Sequence, residues 1–106
     1  MRNTGFGFAV AVLMTLAACS AKAGDKAWGE YLAGECAACH QLSGRYDGIP
    51  PVVGWPDSTF IEVMSEYRAG KRANAVMETI AARLSDEEIA ALAAYFGSIP
   101  SQPTMR

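Results

Sequence analysis

Apolar residues in the second half of the chain recur at the spacing of a helix that buries one face. From Ser58 onward they follow the order i, i+3, i+4 and i+7 of an amphipathic α-helix: Phe60, Val63, Met64 and Tyr67. Asp57 or Ser58 is suited to cap the start of this helix, and Gly70 is suited to end it. The pattern therefore predicts a helix from about residue 58 to Gly70.

The segment near the end of the chain carries the clearest helix signal. Ser85 and Glu88 have the spacing of a capping box, and the acidic residues between them suit the positive end of a helix dipole. One apolar stripe follows before Gly97: Ile89, Leu92, Ala93 and Phe96. We expect these residues to form a helix that packs into the core.

Two other segments are predicted to be helical. No segment of the sequence has the alternation of apolar and polar residues that is typical of a strand. The first helix extends from Lys26 to about Cys36, and a brief helical stretch covers "NAVMETIAARL", residues 74–84. The sequence therefore predicts an all-α fold.

Residues 41–57, "QLSGRYDGIPPVVGWPD", fit neither periodicity. They contain three of the five prolines and three of the ten glycines of the chain. Loops longer than about 12–15 residues in compact domains are usually functional or disordered. Because this one also contains Ile49, Val52, Val53 and Trp55, we expect it to pack against something.

The N-terminal residues have the composition of an export signal. Arg2 precedes an uncharged apolar run from Phe6 to Ala18, which is shorter than the ~20 apolar residues of a membrane-spanning helix. Residues 1–23 are interpreted as a secretory signal peptide and residues 24–106 as the mature domain. Cleavage after the small-x-small motif at 21–23 gives a periplasmic protein; the segment 16–19, "LAAC", resembles a lipobox that would lipidate Cys19 and attach the protein to the membrane.

Composition limits the remaining classes of function. At 106 residues the chain is one domain, near the lower limit of what an apolar core can stabilise alone. Loss of residues 1–23 leaves seven basic and eleven acidic residues, a net charge of −4. This acidic balance argues against binding to nucleic acid.

The segment "GECAACHQLSG", residues 34–44, concentrates the metal-binding chemistry of the chain. Cys36, Cys39 and His40, the only histidine, have the C-x-x-C-H spacing that attaches a haem covalently through its two vinyl groups, with the histidine as iron ligand. A thiol–disulfide site is a weaker interpretation, because it normally lies in a βαβ setting and leaves His40 unexplained. A structural zinc site needs a fourth ligand. Two core cysteines beside a chance histidine is also a weak interpretation, because all three residues have the order and spacing that haem attachment requires.

These residues resemble the class I c-type cytochromes, and the similarity extends over about residues 26–97. Besides the C-x-x-C-H motif, residues 50–54, "PPVVG", look like the P-x-L-x-G loop of that family, although Val52 stands where leucine is preferred, and "LSDEEIAALAAYF" is similar to its last helix. The resemblance implies a cytochrome c fold of three to four helices wrapped around one covalently bound haem c. It also implies that the carbonyl of Pro50 accepts a hydrogen bond from His40, and that Gly29 lets the first and last helices cross closely.

The sixth iron ligand is expected to be a methionine, since no second histidine exists. Met77 is the candidate because the resemblance places the axial methionine shortly before the last helix. Met64, which lies on the apolar stripe of its own helix, and an iron site open to solvent remain the alternatives. The metal ligands are then His40 and Met77.

The function implied by the resemblance is one-electron transfer in the periplasm, with no catalytic residue. The expected partners are redox proteins: a flavoprotein dehydrogenase, an oxidase or a reductase. The second half of the chain looks most like the cytochrome subunits of flavocytochrome c sulfide dehydrogenases and related diffusible carriers. A gas sensor or haem enzyme with an open iron site is the alternative. Trp55, Arg68, Lys71 and Arg72 are candidates to contact the haem propionates.

Overall fold

The computed structural model describes residues 5, 7, 9–14 and 24–101, and these contain helices but no strand. The helices are α1 (Lys26–Leu32), α2 (Gly34–Ala37), α3 (Asp57–Arg68), α4 (Ala75–Ala82) and α5 (Asp86–Ser98). The predicted all-α fold is confirmed. There is one helix more than expected because the predicted first helix divides in two.

That division falls at Ala33, where α1 ends and α2 begins. The side chain of Asp25 caps α1 by accepting hydrogen bonds from the amides of Ala27 and Trp28, at 3.0 and 3.2 Å. The amide of Ala33 still donates to the carbonyl of Gly29 at 2.9 Å, and the amide of Ala37 donates to the carbonyl of Ala33 at 2.8 Å. The two helices are therefore joined by helix-type hydrogen bonds to and from Ala33.

The start of α3 differs from the prediction that Asp57 or Ser58 caps it. Pro56 occupies the N-cap position with φ −56° and ψ 139°, and no side chain caps the helix. Asp57 is instead the first helical residue, where its negative charge is favourable beside the positive end of the helix dipole. The helix ends as expected, since Gly70 adopts a φ of +73° that other residues rarely adopt.

Side chains fix the starts of α4 and α5. Asn74 caps α4 by accepting a hydrogen bond from the amide of Met77 at 3.0 Å. Ser85 and Glu88 form the predicted capping box of α5, which extends through Gly97 to Ser98, slightly beyond the expected end. Both helices therefore begin at residues whose side chains define the register of the first turn.

The core is built around α5, whose buried residues include all four of the predicted stripe: Ile89, Leu92, Ala93 and Phe96. Phe96 stacks on Phe60 of α3 with ring centroids 5.7 Å apart. On the other side α1 crosses α5 at Gly29, where an added Cβ would overlap the carbonyl group of Ala91 and lie 2.9 Å from the Cβ of Tyr95. Gly29 thus allows the close crossing that the resemblance implies.

The described part of the N-terminal segment contributes nothing to this core. Residues 9–14 form no helix, and the large apolar side chains among them are at least 74% exposed: Val10, Val12, Leu13 and Met14. None of the helices in the described residues combines the length and apolar character needed to cross a bilayer. The lipobox-like segment 16–19 and the cleavage motif 21–23 lie outside the described residues.

Candidate functional site

The C-x-x-C-H segment forms the end of α2 and the turn that follows it. Cys36 lies in α2, and its carbonyl accepts hydrogen bonds from the amides of Cys39 and His40, at 3.1 and 2.8 Å. This turn brings the two thiols and the imidazole to the wall of one cavity. The structure therefore brings Cys36, Cys39 and His40 together.

The long loop at 41–57 supplies a hydrogen-bond acceptor for the imidazole of His40. Nδ1 of His40 lies 2.6 Å from the carbonyl oxygen of Pro50. Since a carbonyl can only accept, Nδ1 is the donor in this bond, and in the neutral imidazole Nε2 then keeps its lone pair for a metal. A hydrogen bond of this kind orients a ligating histidine and increases its basicity. Pro50 precedes Pro51 and is therefore confined to extended backbone, which limits the direction of its carbonyl.

The cavity beside these residues has a volume of about 430 Å³. Small-molecule and cofactor sites typically measure about 300–1,000 Å³ and are lined mainly by apolar side chains. Here the lining comes from α2, the long loop, α3, the start of α4 and α5: Cys36, Cys39, His40, Gly48, Ile49, Pro50, Val52, Trp55, Phe60, Val63, Met64, Tyr67, Arg72, Asn74, Val76, Met77 and Phe96. Two thiols and an available imidazole nitrogen in an apolar cavity fit a covalently attached haem.

Two methionines line this cavity. Met64 is only 6% exposed and belongs to the buried core cluster, whereas Met77 is half-buried at the start of α4. Met77 also lines a smaller cavity of about 70 Å³, together with Cys36, Cys39 and His40. Met77 therefore shares a second cavity with the C-x-x-C-H segment, and both methionines line the larger one.

The basic residues expected near haem propionates have different positions. Arg72 lines the cavity, its Nε lies 2.7 Å from Oε2 of Glu66, and its guanidinium lies 5.7 Å from the centre of the Tyr67 ring. The hydrogen bond to Glu66 is the main cause of a raised pKa of Arg72. Arg68 does not line the cavity; its guanidinium pairs with Asp86 at 2.5 Å. Lys71 is exposed outside the cavity lining, while Trp55 is part of it.

The electrostatics of Cys36 differ from those of a thiol–disulfide site. Burial raises the pKa of the Cys36 thiol, the negative charge of Glu35 raises it further, and a backbone hydrogen bond opposes the change. An attacking thiol of a redox site has a lowered pKa instead. For zinc, the described residues contain no group of three or more histidine, cysteine, aspartate and glutamate side chains placed to hold a metal ion.

Sequence reasoning did not identify three residues around the site. Asn74 both caps α4 and lines the cavity; its position directly before a helical stretch was the available signal. Glu35 forms an ion pair with Arg83 at 2.7 Å, across 48 positions of sequence. No local pattern could have revealed that pair.

Comparison with known proteins identifies the family. The family model described as "Cytochrome c" matches residues 22–100. The chain therefore belongs to the cytochrome c family and is a class I c-type cytochrome. It is accordingly an electron-transfer protein with a covalently bound c-type haem, as the resemblance implied.

Individual relatives refine this picture. Cytochrome c-554(548) of Halomonas halodenitrificans is 40% identical over 83 residues, which cover 72% of this chain and 98% of that protein. Cytochrome c4 of Pseudomonas aeruginosa is 35% identical over 78 residues, but only 39% of its length is covered. The cytochrome subunit of sulfide dehydrogenase from Chlorobaculum tepidum is 32% identical over 72 residues, with 66% of that protein covered.

Proposed function

We propose that this cytochrome is a periplasmic one-electron carrier. Its haem would be held by Cys36, Cys39 and His40, and Met77 would be the second protein ligand of the iron. The observation that carries the proposal is the 2.6 Å hydrogen bond from His40 to the carbonyl of Pro50, beside a cavity that both cysteines line. This arrangement fixes the ring while leaving Nε2 available.

Each residue would then have a defined role. Cys36 and Cys39 would hold the haem through thioether bonds to its vinyl groups, and Nε2 of His40 would ligate its iron. The bound haem supplies one-electron redox chemistry, and the protein tunes its potential through the axial ligands, burial and hydrogen bonding. The apolar lining would contact the ring, while the carbonyl of Pro50 keeps the imidazole in one orientation.

Met77 is proposed as the second axial ligand. Its support is that it lines both cavities together with His40 and both cysteines. Met64 lines only the larger cavity and is packed into the core. The hydrogen bond from its amide to Asn74 also fixes its place at the start of α4. A thioether stabilises ferrous iron, so the midpoint potential should be higher than with two imidazoles.

The ligand set can be tested with the purified holoprotein. Its haem should remain with the polypeptide after extraction in acidified acetone, because thioether bonds resist this treatment; loss of all colour to the solvent would contradict covalent attachment. The ferric protein should show the weak far-red absorption band of methionine–iron coordination. Met77→His should abolish this band, keep a low-spin iron and lower the midpoint potential.

Replacement by alanine distinguishes the two methionines. Met77→Ala should let ferrous iron bind carbon monoxide rapidly, whereas Met64→Ala should mainly lower stability. If Met64→Ala opened the iron and Met77→Ala did not, the assignment would be wrong. Rapid binding of carbon monoxide by the unaltered protein would favour a gas sensor or haem enzyme.

The periplasmic location rests on the N-terminal segment. The exposed apolar residues at 9–14 lie outside the core, which agrees with a segment that is removed. Mass spectrometry of the exported protein should give an N-terminus at Gly24. A diacylglyceryl mass on Cys19 would instead show a lipid anchor.

The proposed partners are redox proteins. Two relatives are named "thiosulfate dehydrogenase electron acceptor", and another is a cytochrome subunit of sulfide dehydrogenase. We propose by analogy that a flavoprotein dehydrogenase, an oxidase or a reductase exchanges electrons with this chain. Stopped-flow mixing with candidate dehydrogenases, followed at the haem absorbance, tests this role.

A further inference from the structure

Helix α4, which carries Met77, is short, and Ala81 is its one fully buried residue. It contains eight residues, and isolated helices shorter than about 12–15 residues are marginal in water. Among the described helices it packs closely against α3, but not against α1, α2 or α5. The position of Met77 over the site therefore depends on what else holds α4.

One ion pair joins α4 to the C-x-x-C-H segment. Arg83, the C-cap residue of α4, places its guanidinium 2.7 Å from Oε1 of Glu35, which directly precedes Cys36 in α2. In the part of the chain that the structure describes, no other side-chain hydrogen bond connects α4 or its caps to α1 or α2. The smaller cavity lies between these elements, with Glu35 and Met77 both in its lining.

We propose that the Glu35–Arg83 ion pair is a positioning device that fastens α4 to the haem-attachment segment and keeps Met77 in place. The proposal rests on the proposed function, since it concerns Met77 as an iron ligand. From Met77 to Arg83 the helix rises about 9 Å, so the pair restrains the end of α4 opposite to the one that Asn74 caps. The pair thus adds to the restraint that α4 already has from its packing on α3 and from its buried residue Ala81.

The effect must be moderate, because both partners are largely in water. The side chains of Arg83 and Glu35 are 58% and 61% exposed, and exposed pairs contribute little. Breaking the pair should make α4 open more often and release the sulfur of Met77 about 1.5- to 5-fold faster. That change corresponds to about 0.2–1 kcal/mol at about 1.4 kcal/mol per factor of ten.

The rate of sulfur release can be measured on the ferric holoprotein. At saturating cyanide the rate of binding becomes limited by the departure of the methionine. Glu35→Gln and Arg83→Gln should each raise this limiting rate by the stated factor, and the double variant should raise it no further. The matched control is Glu30→Gln, which should leave the rate unchanged. Glu30 is an exposed residue of α1, and its carboxylate makes no side-chain hydrogen bond or ion pair to another of the described residues.

Salt provides a second readout. The limiting rate of the unaltered protein should rise between low and 1 M salt, because ions at about 1 M screen charges beyond ~3 Å, whereas the rate of Glu35→Gln should hardly change. Arg83→Lys, which keeps the charge, should retain most of the restraint. A rate in Glu35→Gln equal to that of Glu30→Gln, or a lower unfolding midpoint with no change in the limiting rate, would overturn the proposal.

A further variant separates this inference from the ligand assignment. If Met77→Ala binds cyanide without a limiting rate while Glu35→Gln behaves like its control, Met77 is the ligand and the ion pair does not position it. If Met77→Ala leaves the limiting rate unchanged, the ligand assignment fails and the positioning role fails with it. Faster release in both pair variants, together with an open iron in Met77→Ala, supports both.

Discussion

Replacement of Gly29 by alanine tests whether the crossing of α1 and α5 is as close as the structure shows. A Cβ at this position would overlap the carbonyl oxygen of Ala91, lie 2.6 Å from its carbonyl carbon and lie 2.9 Å from the Cβ of Tyr95. Favourable contacts between carbon atoms lie at about 3.5–4.0 Å, so the two helices would have to separate by at least roughly 1 Å. The obstacle is backbone, which cannot move aside as a long side chain can.

Two opposing terms decide the sign of the effect. Alanine in place of glycine favours a helix by about 1 kcal/mol. Overpacking of a tight contact costs about 1–3 kcal/mol and sometimes more, and a backbone obstacle places Gly29→Ala at the upper end. The net result should be a loss of about 2 kcal/mol in the free energy of unfolding.

The measurement is guanidinium chloride denaturation of the ferric holoprotein. With a slope of about 3 kcal/mol per molar denaturant, the midpoint should fall by roughly 0.7 M. Gly34→Ala is the matched control, because Gly34 is also helical and an added Cβ there meets no atom within 4 Å; it should leave the midpoint unchanged or raise it. A Gly29→Ala midpoint at or above that of the unaltered protein would refute the close crossing.

Three other substitutions test caps and core. Ser85→Ala removes the acceptor for the amide of Glu88 at 3.1 Å and should lower the free energy of unfolding by about 1 kcal/mol, as measured by denaturation. Ser85→Asp keeps the cap and is the control. Phe96→Ala empties a position that is 1% exposed and should cost about 3–5 kcal/mol; a loss below 1 kcal/mol would contradict its central place. Asn74→Ala removes the cap at the amide of Met77 and should cost about 1 kcal/mol while weakening the far-red band, whereas Asn74→Asp should preserve both.

The sequence predicts local features of this fold better than it predicts long-range ones. The capping box at Ser85 and the apolar stripe through Phe96 depend on spacings of three and four residues, and both are present. The predicted cap of α3 is wrong because Pro56, whose ring already fixes a suitable φ, starts the helix without a side-chain acceptor. The division at Ala33 could not be predicted from the apolar spacing, because the backbone hydrogen bonds at this residue are still of the helical type.

The candidate site shows the same limit. The C-x-x-C-H spacing is local and predicts that its three side chains lie together, as they do. The meeting of His40 with Pro50 depends on the path of a long loop without periodicity, and only the resemblance to a family predicted it. The pair of Glu35 and Arg83 joins residues 48 positions apart, and an exposed ion pair leaves no hydrophobic pattern in the sequence.

The position of the hydrogen-bond acceptor at Pro50 determines which substitutions in the loop can disturb His40. The imidazole of His40 is oriented by a main-chain carbonyl. Because every amino acid has this group, no amino-acid substitution at position 50 removes the acceptor. A change at position 51 would leave the acceptor in place but relax the constraint that Pro51 puts on its direction. The sensitive position is therefore the neighbour, and a mutational scan of the loop should record its larger effects on haem spectra at 51 rather than at the residue that makes the bond.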